Sequence, residues 1–213
     1  MSRKRSIRVP VIREALEFIS LSELEERAEL SGVTIERCRI MADSVAGVRV
    51  DEARLSRVSL AETSLKKPSW LDVRFESCDL TAATWDGPSL TRVELNDCKL
   101  VGARWPEAEL EDVRFIGCQM SYVAFWSAKL VQVVFERCVF READFQSADL
   151  SGVRFVECNL SLVNFADAKL SGADVSSSDI QGIRLGHREA QGLVVSREQA
   201  VAVAKLLGVT VQD

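Results

Sequence analysis

The stretch Ala143-Asp-Phe-Gln-Ser-Ala-Asp-Leu-Ser-Gly152 consists of two successive five-residue blocks with the same layout. Each block begins with alanine and aspartate, carries a large apolar residue in third place and ends with small or polar residues. The large residues, Phe145 and Leu150, stand five positions apart. This spacing fits neither the 3.6-residue period of a helix nor the two-residue period of a strand. The chain must therefore wind around an axis and turn one large side chain inward per block.

The five-residue period extends outward from this stretch, without insertion, from Ile35 to Leu185. Every residue at these positions is large and apolar. In a chain that is 47% apolar, chance would give this with a probability on the order of 10⁻¹⁰. Eight of the nine phenylalanines belong to the set, and only Phe18 lies outside it. The set is therefore predicted to form the core, with these phenylalanines as its centre: Phe75, Phe115, Phe135 and Phe155.

A second period, four blocks long, is superimposed on the first. All six cysteines share one register within it, at positions 38, 78, 98, 118, 138 and 158. Four blocks therefore make one coil with four walls, and each wall stacks on itself once per coil. Residues 31–190 would form about eight such coils. The sequence predicts an all-β solenoid whose coils bury their large residues by stacking on one another.

The stacked cysteines are predicted to be small buried core residues. Stacked side chains point in parallel, whereas a disulfide needs converging Cβ atoms. Zinc requires about four ligands around one point, which a straight column does not offer. We therefore expect no metal site and no cofactor. The cysteines assigned to the structural core are Cys78, Cys98, Cys118, Cys138 and Cys158.

Four blocks carry a resemblance to a known family: Ala143–Ser147, Ala148–Gly152, Cys158–Leu162 and Ala168–Gly172. Their order of small, polar, Leu or Phe, Ser-like and Gly-like residues resembles the pentapeptide repeat family. The resemblance implies a right-handed quadrilateral β-helix. Residues 193–211 are also similar to the C-terminal tail of the quinolone-resistance members, which implies a helical cap and a homodimer formed there. The better-known members bind type II topoisomerase by imitating DNA.

The two ends of the solenoid are predicted to carry helical caps, because open ends expose unpaired backbone. Ser196 and Gln199 fit a capping box that opens a helix reaching about Leu207, with Gly208 as its stop. One stripe of this helix is expected to cover the last coil or a second subunit: Ala200, Val203, Ala204 and Leu207.

A short N-terminal helix is predicted to begin at Ser20 or Ser22 and to run to about Glu29. Pro10 and the basic residues before it are expected to form a mobile arm. The expected division is an arm and cap in residues 1–30, the solenoid in residues 31–190, and a capping or dimerisation helix with its tail in residues 191–213.

Composition argues against several functional classes. The net charge of −5 gives no reason to expect direct nucleic-acid binding. No apolar run is long enough to cross a membrane, and no apolar stretch of a signal peptide follows the basic start, so the cytoplasm is the expected compartment. His187, the only histidine, is expected on the surface. No catalytic triad or phosphate-binding loop is recognisable, and we expect no enzymatic activity and no catalytic residues.

Two functional hypotheses remain. The first is a rigid protein-interaction module with an unknown partner, contacted through a patch of outward-facing apolar residues: Ile116, Tyr122 and Trp126. The second is a DNA-mimicking binder of type II topoisomerase, such as gyrase, that protects it from quinolones or related poisons. DNA mimicry requires rows of acidic residues. In this sequence the outward acids are interrupted by basic residues: Lys99, Lys129, Arg141 and Lys169.

Overall fold

The computed structural model describes residues 6–212 and shows a parallel β-solenoid followed by the single helix of that range. Its elements are β1 (Glu17–Phe18), β2 (Glu29–Glu36), β3 (Val45–Ala46), β4 (Arg49–Ser56), β5 (Ser64–Lys66), β6 (Ser69–Glu76), β7 (Thr84–Asp86), β8 (Ser89–Asn96), β9 (Glu109–Ile116), β10 (Lys129–Glu136), β11 (Arg154–Val156) and α1 (Arg197–Leu206). An 8-stranded sheet has the order β1-β2-β4-β6-β8-β9-β10-β11, and a 3-stranded sheet has the order β3-β5-β7.

The coils pair in parallel, each residue with its equivalent four blocks later. In the long sheet Phe115 pairs with Phe135, which pairs with Phe155. Shorter bridges repeat the same offset on the other walls, for example between Lys99 and Gln119. The paired positions form four columns, one on each wall, which confirms the predicted four-walled solenoid. The solenoid has about 7 turns, close to the number expected.

The large apolar residue of each block points to the axis. In the series of every fifth residue from Ile35 to Leu185, all but the half-buried Leu185 are buried. Aromatic rings stack from coil to coil: the ring centroids of Phe115 and Phe135 lie 4.8 Å apart, and those of Phe135 and Phe155 lie 5.1 Å apart. Burial of each such side chain contributes about 1.5–3 kcal/mol, so the stacked column is a main source of stability.

The corners between walls depend on residues in the left-handed conformation, two positions after nearly every large residue. At one corner the N–H of Val163 donates to the carbonyl of Leu160 (3.2 Å), and Leu162 between them has φ of 62°. A turn of this kind favours glycine, and Gly182 occupies the equivalent place one coil later, with φ of 67°. Most corners nevertheless carry other residues. The main-chain pairing between coils holds them in this strained conformation.

The cysteines form a hydrogen-bonded column inside one corner, and all six are free. The thiol of Cys118 donates to the carbonyl of Leu95 (3.3 Å), and that of Cys138 donates to the carbonyl of Phe115 (3.5 Å). Ser178 continues the column, and its hydroxyl donates to the carbonyl of Phe155 (2.9 Å). The column therefore supplies small buried donors to carbonyl groups of the preceding coil.

The N-terminal helical cap is absent from the described residues, and that prediction is wrong. Residues 21–28 instead continue the solenoid as an irregular coil: the N–H of Leu24 donates to Met41 (2.9 Å), and the N–H of Arg27 donates to Ala46 (2.8 Å). Leu24 is buried. A helix would leave the backbone of the following coil unpaired at this end, and pairing between coils outweighs the local capping signals.

The expected mobile arm is bound to the solenoid. Residues 1–5 lie outside the described residues, but the segment from Arg8 to Arg13 runs along one corner and contacts three coils. Pro10 is buried there. The prediction of mobility is therefore wrong for this segment, because the corner offers carboxylates that pair with its backbone and its arginines.

The C-terminal helix agrees with the prediction. The Ser196 side chain accepts a hydrogen bond from the main chain of Gln199, and the Gln199 side chain accepts one from the main chain of Ser196, which completes the capping box. The Gln199 side chain also donates to the carbonyls of Val175 (2.9 Å) and Ser178 (2.6 Å), so the cap fastens the helix to the last coil. Among residues 6–212, no helix combines the length and apolar character needed to cross a membrane.

We predict that Phe135→Asp abolishes the cooperative unfolding transition of the solenoid. The substitution places an unpaired carboxylate between two stacked rings, at an expected cost above about 4 kcal/mol. Phe135→Leu is the matched control and should lower the free energy of unfolding by only about 1–2 kcal/mol. Chemical denaturation followed by circular dichroism measures both. A transition unchanged by the aspartate would contradict the inward direction of this side chain.

We also predict that the cysteine column resists alkylation in the folded protein. The neighbouring Cys118 thiol and burial raise the pKa of Cys138 to about 12, and the reactive species is the thiolate. The pKa of Cys78 is lowered by its hydrogen bond with Cys98, but this thiol is buried and out of reach of the reagent. At pH 8 we expect a maleimide reagent to label at most the half-buried Cys38, and all six thiols in guanidinium chloride. Intact mass spectrometry counts the labels. In Cys38→Ser no thiol should react quickly, and rapid labelling of several thiols in that variant would show that the column is open to solvent.

Candidate interaction surfaces

Two aromatic residues of the predicted patch flank one wall of the solenoid. Tyr122 occupies a left-handed corner with φ of 60° and is 54% exposed, and Trp126 is 40% exposed. The Trp126 indole N–H donates to Asp144 (2.7 Å), and the Tyr122 hydroxyl donates to Glu142 (3.4 Å). Ala124 between them is buried. Both rings are therefore fixed on a rigid wall by polar contacts with the following coil.

Ile116, the third residue of the predicted patch, lies on a different wall. It is half-buried and pairs with Asn96 and Glu136 in the long sheet. The wall that contains Gln119 separates it from Tyr122. Leu162, which was not part of the predicted patch, is 40% exposed and occupies the same corner column as Tyr122 two coils further on. The sequence could have indicated this exposure, because Leu162 comes two positions after the core residue Leu160 and therefore occupies an outward corner.

The charged walls are neutralised from coil to coil. Glu94 is buried, and its carboxylate contacts Arg74 on one side (3.1 Å) and Arg114 on the other (3.6 Å). On another wall Lys169 pairs with Asp149 (3.4 Å). Within its own column of the long sheet, Glu94 therefore pairs with the arginines of the coil before it and the coil after it.

A further site, which the sequence analysis missed, is the corner that holds the N-terminal arm. The N–H of Arg8 donates to Asp112 (3.0 Å), as does its Nε (2.6 Å). The N–H of Val11 donates to Asp72 (2.8 Å). The carboxylates belong to residues in the left-handed corner position of their coils, which brings side chains from separate coils into one row.

The third carboxylate of this corner, Glu52, accepts hydrogen bonds from the Arg13 side chain and from its main-chain N–H (2.7 Å). These hydrogen bonds lower the pKa of Glu52 to about 2. Burial alone would raise the pKa of Asp72, but hydrogen bonds from Arg92 and from the N–H of Val11 outweigh it, and the pKa is lowered. The corner is therefore negatively charged at neutral pH and is matched to a basic segment.

The predicted dimerisation stripe lies partly on the solenoid. Val203 packs against the core, Ala204 and Leu207 are half-buried, and Ala200 is exposed. Val201 next to Ala200 is also exposed. The stripe thus leaves one apolar strip of the helix uncovered.

His187 is exposed, as its register suggested. Within residues 6–212 no three or more His, Cys, Asp or Glu side chains are grouped in a way that could hold a metal ion. The pKa values that differ most from the ordinary values are those of Glu52, in the arm-binding corner, and of the buried thiols in the cysteine column.

Among solved structures, this chain is similar to several repeat proteins, all at low sequence identity. QnrB1, a plasmid-mediated fluoroquinolone resistance protein, is 19% identical over 92% of this chain and 98% of its own, with a TM-score of 0.47. HetL from the cyanobacterium Nostoc sp. strain PCC 7120, involved in the regulation of heterocyst differentiation, is 20% identical over 78% of this chain and 84% of its own, with a TM-score of 0.34. A pentapeptide repeat protein from the thylakoid lumen of Arabidopsis thaliana is 14% identical over 71% of this chain and 74% of its own, with a TM-score of 0.30.

No curated protein matches the chain. Two family models do match: one for a pentapeptide repeat region over residues 88–158, and one described as pentapeptide repeats (eight copies) over residues 148–182. These two segments lie inside the stretch in which every fifth residue is buried and every coil pairs with the next in one constant register. Together with that geometry, they identify the chain as a member of the pentapeptide repeat family.

Proposed function

We propose that this protein is a rigid, non-enzymatic scaffold that binds a protein partner through the wall flanked by Tyr122 and Trp126. The observation that carries the proposal is the exposure of these two large aromatic rings along one wall, with the exposed Leu162 in the same corner column as Tyr122. Tyrosine and tryptophan are enriched at binding surfaces because each offers an apolar ring together with a polar group. A rigid wall presents them with little loss of conformational entropy on binding.

Two further observations support the proposal. The titratable residues of the surface are distributed along the walls, and the residues with strongly shifted pKa values make structural contacts. Among the described residues, no acid, base and nucleophile therefore lie together as a catalytic site would require. The six cysteines are unpaired, and five are buried, as expected for a protein that folds in a reducing compartment. We propose the cytoplasm as the compartment of the scaffold, because buried free thiols stay reduced there.

The second function that the resemblance implies, DNA mimicry towards a type II topoisomerase, has less support. It requires a continuous acidic surface. Glu94 lies between two arginines, and Asp149 is paired with Lys169. The acidic corner at Asp72 and Asp112 is covered by the basic arm. Our proposal therefore does not assign a topoisomerase as the partner.

We further propose that the scaffold forms a homodimer through α1. The support is the uncovered apolar strip at Ala200 and Val201, which continues towards Ala204 and Leu207. A helix without fully buried residues gains stability from packing against a second apolar surface, and a second copy offers the same strip in an isologous contact.

We predict that Trp126→Ser combined with Tyr122→Ser removes a binding partner that the wild-type protein retains. Affinity capture from a lysate of the source cells, followed by mass spectrometry, provides the measurement. Val131→Ser is the matched control, because Val131 is also 40% exposed but belongs to another wall. Loss of the aromatic pair should weaken binding at least tenfold, as expected for residues at the centre of an interface. Equal capture by all three proteins would contradict the assignment of this wall.

We predict that the double substitution Ala200→Glu and Val201→Glu converts the dimer into a monomer. Four negative charges would then face one another across a symmetric contact. Light scattering after size exclusion gives the mass of each species. Leu206→Glu places one charge on a different face of the same helix and should leave the dimer intact. A wild-type protein that is monomeric at about 100 µM, above the Kd expected of a specific dimer, would contradict the proposal.

A further inference from the structure

The corner that holds the N-terminal arm has the properties of a peptide-binding site. We propose that this corner recognises extended basic segments in general, that residues 8–13 are its tethered ligand, and that a free segment of the same chemistry can replace them. The site is defined by three carboxylates, Glu52, Asp72 and Asp112. It is separate from the wall of Tyr122 and Trp126, and the inference does not depend on the function proposed for that wall.

Each carboxylate contacts the main chain of the arm, and two of them also contact an arginine side chain. Asp112 binds the N–H and the Nε of Arg8, and Glu52 binds the N–H and the guanidinium of Arg13. Asp72 binds a main-chain N–H of the arm, that of Val11. Main-chain contacts accept any extended segment, whereas the two outer carboxylates select arginine, because its planar group can pair with a carboxylate through more than one N–H.

The spacing of the arm matches the spacing of the coils. An extended chain advances about 3.3 Å per residue and stacked coils are about 4.8 Å apart. Three residues separate Arg8 from Val11, and two coils separate Asp112 from Asp72, so both spans are about 10 Å. The intervening coil carries Arg92 at this corner, and Pro10, which has no N–H to donate, lies between the two contacts in the arm. The recognised pattern is thus two arginines five positions apart, with a free N–H three residues after the first.

The arm is bound by polar contacts more than by burial. Val9 is 51% exposed and Val11 is 69% exposed, so the apolar side chains that flank Pro10 face solvent. The arginine side chains of the ion pairs are also more than half exposed. Exposed ion pairs contribute little each, and the occupancy of the corner therefore depends on the covalent tether, which holds the arm at an effective concentration of about 1 mM. A free segment can compete with a ligand held in this way.

The carboxylates are arranged before the arm binds. Arg92 contacts Asp72 through its Nε (2.7 Å), which fixes the orientation of that carboxylate. Asp112 stands in the left-handed part of the corner with φ of 55°, and with the arm in place it is only 4% exposed. A buried carboxylate requires a partner, and among the described residues Arg8 supplies its hydrogen bonds. The arm thus compensates a charge that is already fixed in the corner.

The experiment uses the full chain and a fluorescein-labelled peptide with the sequence of residues 6–14. In the variant Arg8→Glu and Arg13→Glu the tethered arm is weakened, and the peptide should bind with a Kd in the range of about 10–100 µM by fluorescence anisotropy. The wild-type chain should bind it at least about tenfold more weakly, because its own arm competes at the effective concentration given above. Affinity should fall as salt increases, since charge pairs hold the complex.

Control variants are made in the same arm-weakened chain. Asp112→Asn removes one charge but keeps a residue that tolerates the left-handed conformation, and it should weaken binding at least about fivefold, because charge-assisted hydrogen bonds to Arg8 are lost. Asp149→Asn, an acid on another wall, and Trp126→Ser should leave binding unchanged. A peptide with both arginines replaced by glutamate should not bind. Failure of the peptide to bind the arm-weakened chain, or equal binding with and without Asp112→Asn, would overturn the proposal while leaving the function of the aromatic wall untouched.

Discussion

The parallel hydrogen bonding between successive coils is the constraint on which the rest of the structure depends. Each main-chain group at the wall positions pairs with a group one full coil away, and any insertion would shift every later pair. This pairing places the large residue of each block over its equivalent in the next coil, so the rings of Phe115, Phe135 and Phe155 stack. It also holds non-glycine residues such as Leu162 in a conformation that they would otherwise avoid. The core, the corners and the surface columns all follow from one repeated register.

The regular part of the fold could be predicted from the sequence, because the five-residue period and the longer period of four blocks are directly visible in it. Large residues, cysteines and the capping box of α1 each follow from local chemistry at known positions. The N-terminal coil could not be predicted in the same way. Ser20 and Glu23 match a helix start, but the pairing surface that overrides this signal is formed by Met41 and Ala46, which local sequence reasoning does not include. The first coil also departs from the constant offset of the later coils, with Phe18 paired to Thr34.

The candidate surfaces were likewise predictable from the sequence only in part. Trp126 and Tyr122 were expected to face outward from their register, and they do so on one wall, whereas Ile116 belongs to another because a corner intervenes. The arm-binding corner was missed because its three carboxylates lie on separate coils and their ligand is a distant segment near the start of the chain. The available signal was a row of acids in one corner position, Glu52, Asp72 and Asp112, together with a segment containing two arginines. The opposite charges of these acids and arginines predict a contact only after the corner residues of successive coils have been lined up as one row.

The left-handed corner position has a consequence for how such a molecule can acquire new specificity. Its side chain points away from the core, and its backbone conformation is imposed by neighbouring coils. The position therefore accepts many residue types other than β-branched residues and proline, which this conformation excludes. Arg92, Asp112, Gln132 and Gly152 occupy successive places in one such row. Evolution can therefore exchange the residues of a row one at a time while the interior stays unchanged. Such a row is best suited to select filamentous or extended ligands. The chemical groups of these ligands would recur along the axis at the spacing of successive coils.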